Sequence, residues 1–129
     1  MVEITGKTRL IAHLGVPTAP FKAPMIYNPW FDHAGVDAAV VPMGVEPADY
    51  PAFLPLLFRL RNVMGALVTM PHKATTAGLV DRLSPAAEIA GACNAVRIGQ
   101  DGRLEGDMFD GEGFVRGLRR KGRRIDGAA

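Results

Sequence analysis

Nine consecutive residues, Gly65-Ala66-Leu67-Val68-Thr69-Met70-Pro71-His72-Lys73, allow few structures. The apolar run Gly65–Val68 suits a short buried strand. Pro71 suits the first position of a helix, where its fixed φ fits and its missing N–H would be unpaired in any case. A strand running straight into a helix is the building unit of an α/β sheet. Its turn lies above the C-terminal end of the strand, where open sheets of this kind bind ligands. Lys73 falls in the first turn of that helix. A lysine so placed either serves as a general acid or base or is simply a solvated side chain at a helix start.

The rest of the chain alternates in the same way. Thr8–Gly15 reads as a first strand, Val16–Ala23 as a proline-rich loop, and Pro24–Ala34 as a helix disturbed by Pro29 and ended by Gly35. Ala38–Met43 is a second strand, which Pro42 assigns to a sheet edge because proline cannot donate to a ladder. Glu46–Leu60 reads as a helix with an apolar stripe at Phe53, Leu56, Leu57 and Leu60. The lysine helix runs through Leu79, and Ser84-Pro85-Ala86-Ala87-Glu88 resembles a capping box. Ala95–Ile98 and Arg103–Glu105 pair as a hairpin across Gly99-Gln100-Asp101-Gly102. Asp110–Lys121 closes the chain as a helix with Asp110 at its N-cap. The fold class that follows is α/β, a mixed, mainly parallel sheet flanked by helices on both faces, with one antiparallel hairpin near the C-terminal end.

Composition excludes several function classes. A chain of 129 residues with 48% apolar and 22% charged residues suits one globular domain. No apolar run approaches the roughly 20 residues that span a bilayer, and the N-terminus has no signal-peptide pattern, so the expected location is cytoplasmic and no membrane partner is implied. Cys93 is the single cysteine, which leaves no internal disulfide and no cysteine-based metal site. His13, His33 and His72 lie in separate elements, so no metal is expected. Residues 1–115 carry 9 Lys/Arg against 12 Asp/Glu, whereas residues 116–129 carry 6 against 1. The run Arg119-Arg120-Lys121-Gly122-Arg123-Arg124 reads as the solvated end of a helix closed by Gly122. No aromatic or groove-reading element accompanies it, and a nucleic-acid partner is not expected.

Four motifs in order then resemble the N-terminal, substrate-binding domain of the shikimate dehydrogenase family. Gly15-Val16-Pro17 through Pro24-Met25-Ile26-Tyr27-Asn28 resembles the family's opening loop, and Gly65 through Lys73 resembles its Gly-x-Asn-Val-Thr-x-Pro-x-Lys. Gly91-Ala92-Cys93-Asn94-Ala95 resembles Gly-Ala-x-Asn-Thr, and Gly106-Asp107-Met108-Phe109-Asp110-Gly111-Glu112-Gly113 resembles Gly-x-Asn-Thr-Asp-Gly-x-Gly. The resemblance implies hydride transfer between NADP (or NAD) and a ring carbon that bears a hydroxyl. It makes Lys73 and Asp110 the catalytic pair, Asn94 a ligand of a ring hydroxyl and Thr69 part of the pocket lining. Read from the residues alone, Asp110 is also a helix N-cap and Asn94 also a turn residue.

The departures carry information too. The family's two serines that bind the substrate carboxylate align with Phe21 and Ala23, its motif asparagine with Leu67, and its Asn-Thr with Met108 and Phe109. These changes place Phe21, Ala23, Leu67 and Phe109 on the predicted pocket wall and predict a less polar cyclic hydroxy or keto ligand than shikimate. Gly111-Glu112-Gly113 lacks the sequel of a dinucleotide-binding turn, so residues 1–129 are expected to be a substrate-binding domain alone. The cofactor would then sit on a further domain, supplied in cis or in trans, that starts near Ile125-Asp126-Gly127-Ala128-Ala129. Edge strands and a face left open favour self-association, a homodimer at the simplest. The competing class is a small-molecule binding module without catalysis.

Overall fold

A computed structural model describes residues 3–124, 126 and 127. Met1, Val2, Ile125, Ala128 and Ala129 lie outside these, and with them most of the stretch where a second domain is expected to begin. The described elements are β1 (Arg9–Gly15), α1 (Ala23–Ala34), β2 (Ala38–Gly44), α2 (Tyr50–Leu57), β3 (Val63–Val68), α3 (Lys73–Ala77), β4 (Arg82–Leu83), α4 (Pro85–Ala90), β5 (Ala95–Ile98), β6 (Leu104–Asp107) and α5 (Asp110–Arg120).

The strands form one sheet in the order β2-β1-β3-β5-β6-β4. The β1·β2, β1·β3 and β4·β6 pairs are parallel, while β5 runs antiparallel to both β3 and β6. Alternation along β1 sorts the core onto two faces. Ala12 and Leu14 join the cluster of Tyr50, Leu54, Leu57, Val68 and Val96 beside α2. Ile11 packs with Phe31, Ala38 and Val40 beneath α1, so helices cover both faces. Pro42 does lie on the edge strand, β2. Pro29 sits inside α1 without breaking it, and Asn28 ties that helix to the sheet by accepting from Val40 N–H and donating to Val40 C=O.

Several boundaries and one short strand differ from expectation. The helix expected from Glu46 starts at Tyr50, because Pro47–Asp49 form a turn first. Its buried face is then Tyr50, Leu54 and Leu57, with Phe53 packed beside them, whereas Leu56 and Leu60 point to solvent. Pro71 is not the first helical residue. The Met70–Pro71 peptide is cis and lies in a turn in which His72 N–H donates to Thr69 C=O, so α3 starts at Lys73 and ends at Ala77. Finally, β4 had no signal in the sequence, since a two-residue strand shows no periodicity.

The topology gathers loops at one edge. The C-terminal ends of β1, β3 and β6 meet the start of β5 there, as the pairs His13↔Leu67, Leu67↔Ala95 and Ala95↔Asp107 record. Thr69–Lys73, Asn94, Phe109–Asp110 and the loop after Gly15 therefore converge, although up to about 100 residues separate them in the chain.

Candidate functional site

Lys73, Asn94 and Asp110 come together at this edge, each from a different connection. Lys73 Nζ donates to Asp110 Oδ2 at 2.5 Å, and Asn94 Nδ2 donates to Asp110 Oδ1 at 2.7 Å. Both oxygens of the carboxylate are thus taken. That explains why Asp110 opens α5 without capping it: the N-cap is Phe109, and no side chain caps that end. Asn94 is itself held at three points. Its N–H donates to Asp107 C=O, its C=O accepts from Val68 N–H, and its Oδ1 accepts from Phe109 N–H. A turn residue would need none of these side-chain bonds, so Asn94 clamps the loop before α5 against β3.

The two charges remain in contact with water, the Lys73 side chain being 25% and the Asp110 side chain 48% exposed. On the other side of α3 the polar groups are sealed. Tyr50 O–H donates to Thr76 Oγ1, which spends its own proton on His72 C=O, and His72 Nε2–H donates to Val45 C=O at 2.7 Å. The Tyr50 and His72 rings stack at 4.0 Å. Burial pushes the Tyr50 phenol up to about 12.

The other expected pocket residues separate. Thr69 and Phe21 line a cavity of about 360 Å³ together with His13, Lys22 and Met70. Phe21 lies over the His13 ring with centroids 4.3 Å apart. Gly15 makes room for this arrangement: a Cβ there would fall 2.6 Å from Thr69 Cγ2 and 2.8 Å from Phe21 Cζ. Ala23 and Leu67 instead pack into the apolar cluster beneath α1 and do not line the cavity, because both side chains face Phe31 and its neighbours. Phe109 lines a second cavity of about 400 Å³, with Ser84, Ala95 and Asp107.

His13 is the residue that sequence reasoning missed as a site candidate. Its signal was a lone imidazole two positions before Gly15 at the ligand end of an otherwise apolar strand. No group of His, Cys, Asp and Glu that could hold a metal ion occurs among the described residues. No described helix is long and apolar enough to cross a membrane. Gly111 and Gly113 lie in the first turn of α5, where Glu112 pairs with Arg116, and do not form a glycine-rich loop.

A family model described as the shikimate dehydrogenase substrate binding domain matches residues 14–96. The chain belongs to that family. It is 38% identical over 116 residues to a shikimate dehydrogenase (NADP(+)) from Paramagnetospirillum magneticum, covering 90% of this chain and 42% of that protein. It is 41% identical over 118 residues to the protein of that name from Geobacter metallireducens, covering 91% and 40%. The fold superposes with a TM-score of 0.87 on a shikimate 5-dehydrogenase from Listeria monocytogenes solved in complex with shikimate and NAD, at 35% identity and covering 96% of this chain and 42% of that one. The chain thus spans about two fifths of the length of the relatives it matches. Their names do not support the expectation that shikimate itself is excluded.

Proposed function

We propose that this domain is the substrate-binding and proton-handling half of an NADP- or NAD-dependent oxidoreductase acting on a cyclic hydroxy or keto compound. The observation that carries it is the Lys73–Asp110–Asn94 hub, three side chains from three connections, fixed on one another at the sheet edge where α/β folds bind ligands. In the reducing direction Lys73 donates a proton to the ketone oxygen, and in the oxidising direction it takes that proton back. Asp110 holds the ammonium in place, and its second oxygen is oriented by Asn94. When bound, NADP or NAD would supply or accept the hydride, and its proposed seat is a further domain joined in cis or in trans.

The substrate class is kept wide, a carboxylated ring included. The argument against a carboxylate rested on Phe21 and Ala23, and Ala23 packs beneath α1, away from the cavity. The test joins the chain to the cofactor-binding domain of a relative, or mixes the two, and follows NADP-linked oxidation of shikimate and of uncarboxylated ring alcohols. Turnover that Lys73→Ala abolishes while ligand binding persists supports the reading. Binding with no turnover in any combination would leave a ligand-binding module.

A further inference from the structure

Asp110, the carboxylate that holds Lys73, opens a helix that gives it no anchor of its own. No residue of α5 is buried, and no side chain caps its first turn. The chain reaches Asp110 from β6 through Met108 and Phe109, apolar side chains where the family pattern has Asn-Thr. These two cannot fix the connection by polar bonds of their own. A carboxylate that must face two partners at once tolerates a displacement of only about 0.5 Å, so its aim has to come from elsewhere.

It comes from Asp107, the last residue of β6. Asp107 Oδ1 accepts from Met108 N–H at 2.7 Å and from the hydroxyl of Ser84. The two-residue strand β4 brings Ser84 to this point: Arg82 and Leu83 pair with Glu105 and Gly106, and Ser84 N–H then donates to Gly106 C=O. Gly106 has to lack a side chain, since a Cβ there would fall 2.6 Å from Cys93 Sγ. Cys93 N–H donates to Lys73 C=O, and the next residue, Asn94, donates its N–H to Asp107 C=O. Lys73, Asn94 and Asp107 thus share one backbone frame, and the Ser84–Asp107 bond ties the departing loop to it. Capping α4 does not account for that bond. Ser84 Oγ caps by accepting from Ala87 N–H, which needs a lone pair only, whereas its proton goes to Asp107.

We infer that Ser84 and Asp107 are positioning residues for the proton-handling site: they aim the Met108–Phe109 connection so that Asp110 meets both Lys73 and Asn94. The inference rests on the proposed reading of the Lys73 hub and deepens it. Asn94 reports on the aim, since its Oδ1 accepts from Phe109 N–H and its Nδ2 donates to Asp110.

The test compares Asp107→Ala, Asp107→Asn and Ser84→Asp. Asp107→Ala leaves the α4 cap in place and removes the acceptor of Met108 N–H. Ser84→Asp keeps a capping oxygen for Ala87 N–H but has no proton to give Asp107. Asp107→Asn retains an oxygen for both donors. In nitrogen–proton correlation spectra of the chain, the Asn94 side-chain amide signals should move toward the free-amide position in Asp107→Ala and Ser84→Asp, and stay in place in Asp107→Asn. In the chain joined to a cofactor-binding domain, those first two variants should lower kcat about 10- to 100-fold with KM changed less than about threefold, and Asp107→Asn should recover most of the loss. If Asp107→Ala fails to fold, Ser84→Asp carries both measurements. Asn94 signals unmoved in both variants, or kcat at the parent level, overturn the inference while leaving the hub intact; a fall in unfolding midpoint alone would then make the pair structural. A joined parent chain that oxidises neither shikimate nor an uncarboxylated ring alcohol, or turnover that survives Lys73→Ala, removes the hub reading itself, and the inference with it.

Discussion

Two polar constellations flank the start of α3, one residue apart in the chain. His72 faces inward, 1% exposed, in a sequence of bonds from Tyr50 to Thr76 to the His72 backbone and from the His72 ring to Val45. Lys73 faces outward, in an ion pair that water reaches. In the first set Tyr50 Oη, Thr76 Oγ1 and His72 Nε2 each have a partner, as burial demands, and these bonds tie α3 to its neighbours. In the second, the Asp110 carboxylate is fully engaged, yet the ammonium keeps free N–H positions and access to a ligand. An exposed pair of this kind adds little to stability. The difference separates the groups that hold the site from the groups that act in it, and it can be broken by substitution at either residue.

The largest effect is expected at Lys73. Lys73→Ala should lower kcat/KM about 10²- to 10⁴-fold in the chain joined to a cofactor-binding domain, the range for loss of a general acid–base group. The same change should shift the urea unfolding free energy of the chain by less than about 1 kcal/mol. A loss of stability as large as the loss of transition-state binding would show that Lys73 is a structural residue. His72→Leu should behave the opposite way. It strips Val45 C=O of its buried donor and should cost about 2 kcal/mol of stability in the same denaturation experiment. Wild-type stability in this variant would mean that the buried chain of bonds does not hold α3.

Asn94→Ala comes next. It removes the amide that spans Asp110 Oδ1 and Phe109 N–H, and such an exposed pair of bonds is worth about 1 kcal/mol at most. Ligand affinity should fall with it, because Asp110 is then free to turn away from Lys73. Calorimetric titration with shikimate measures the second effect. Unchanged affinity would assign Asn94 to the fold alone.

How far these roles were legible in the sequence depended on the kind of signal. Alternation of apolar runs with turn residues located every strand longer than two residues and the edge position of Pro42. Ser84 was legible as a cap because its chemistry is local: it accepts from Ala87 N–H. The start of α2 was misplaced because an apolar stripe does not distinguish a helix from the turn that precedes it at Pro47–Asp49. From the residues alone Asp110 was read as a cap, as Ser84 was, and only the family resemblance paired it with Lys73; its partners lie 16 and 37 residues away, and no local pattern reports them. Leu67 and Ala23 were assigned to the pocket from their place in motifs, whereas the strand alternation of β3 and the packing of α1 turn both toward Phe31. His13 was passed over because a histidine in an apolar strand carries no spacing signal; only the missing partner of Nδ1 marks it.

The smallest effects, at the two ends of the pH scale, sharpen the same contrast between a buried group with partners and one without. The Tyr50 phenol is held up to about 12 by burial, against 10.0 when free. Between these values the unfolded chain releases the proton while the folded chain keeps it, so stability falls as pH rises from about 10 towards about 12. Tyr50→Phe should flatten that limb relative to the parent chain. For His13 the sign is reversed. Its folded pKa lies below 6.5, so on acidification the unfolded chain binds the proton first, and stability is lost as pH falls from 6.5 through the folded value. His13→Gln, which cannot titrate, should remove this acid slope, and denaturant midpoints measured from neutral pH downward give the comparison.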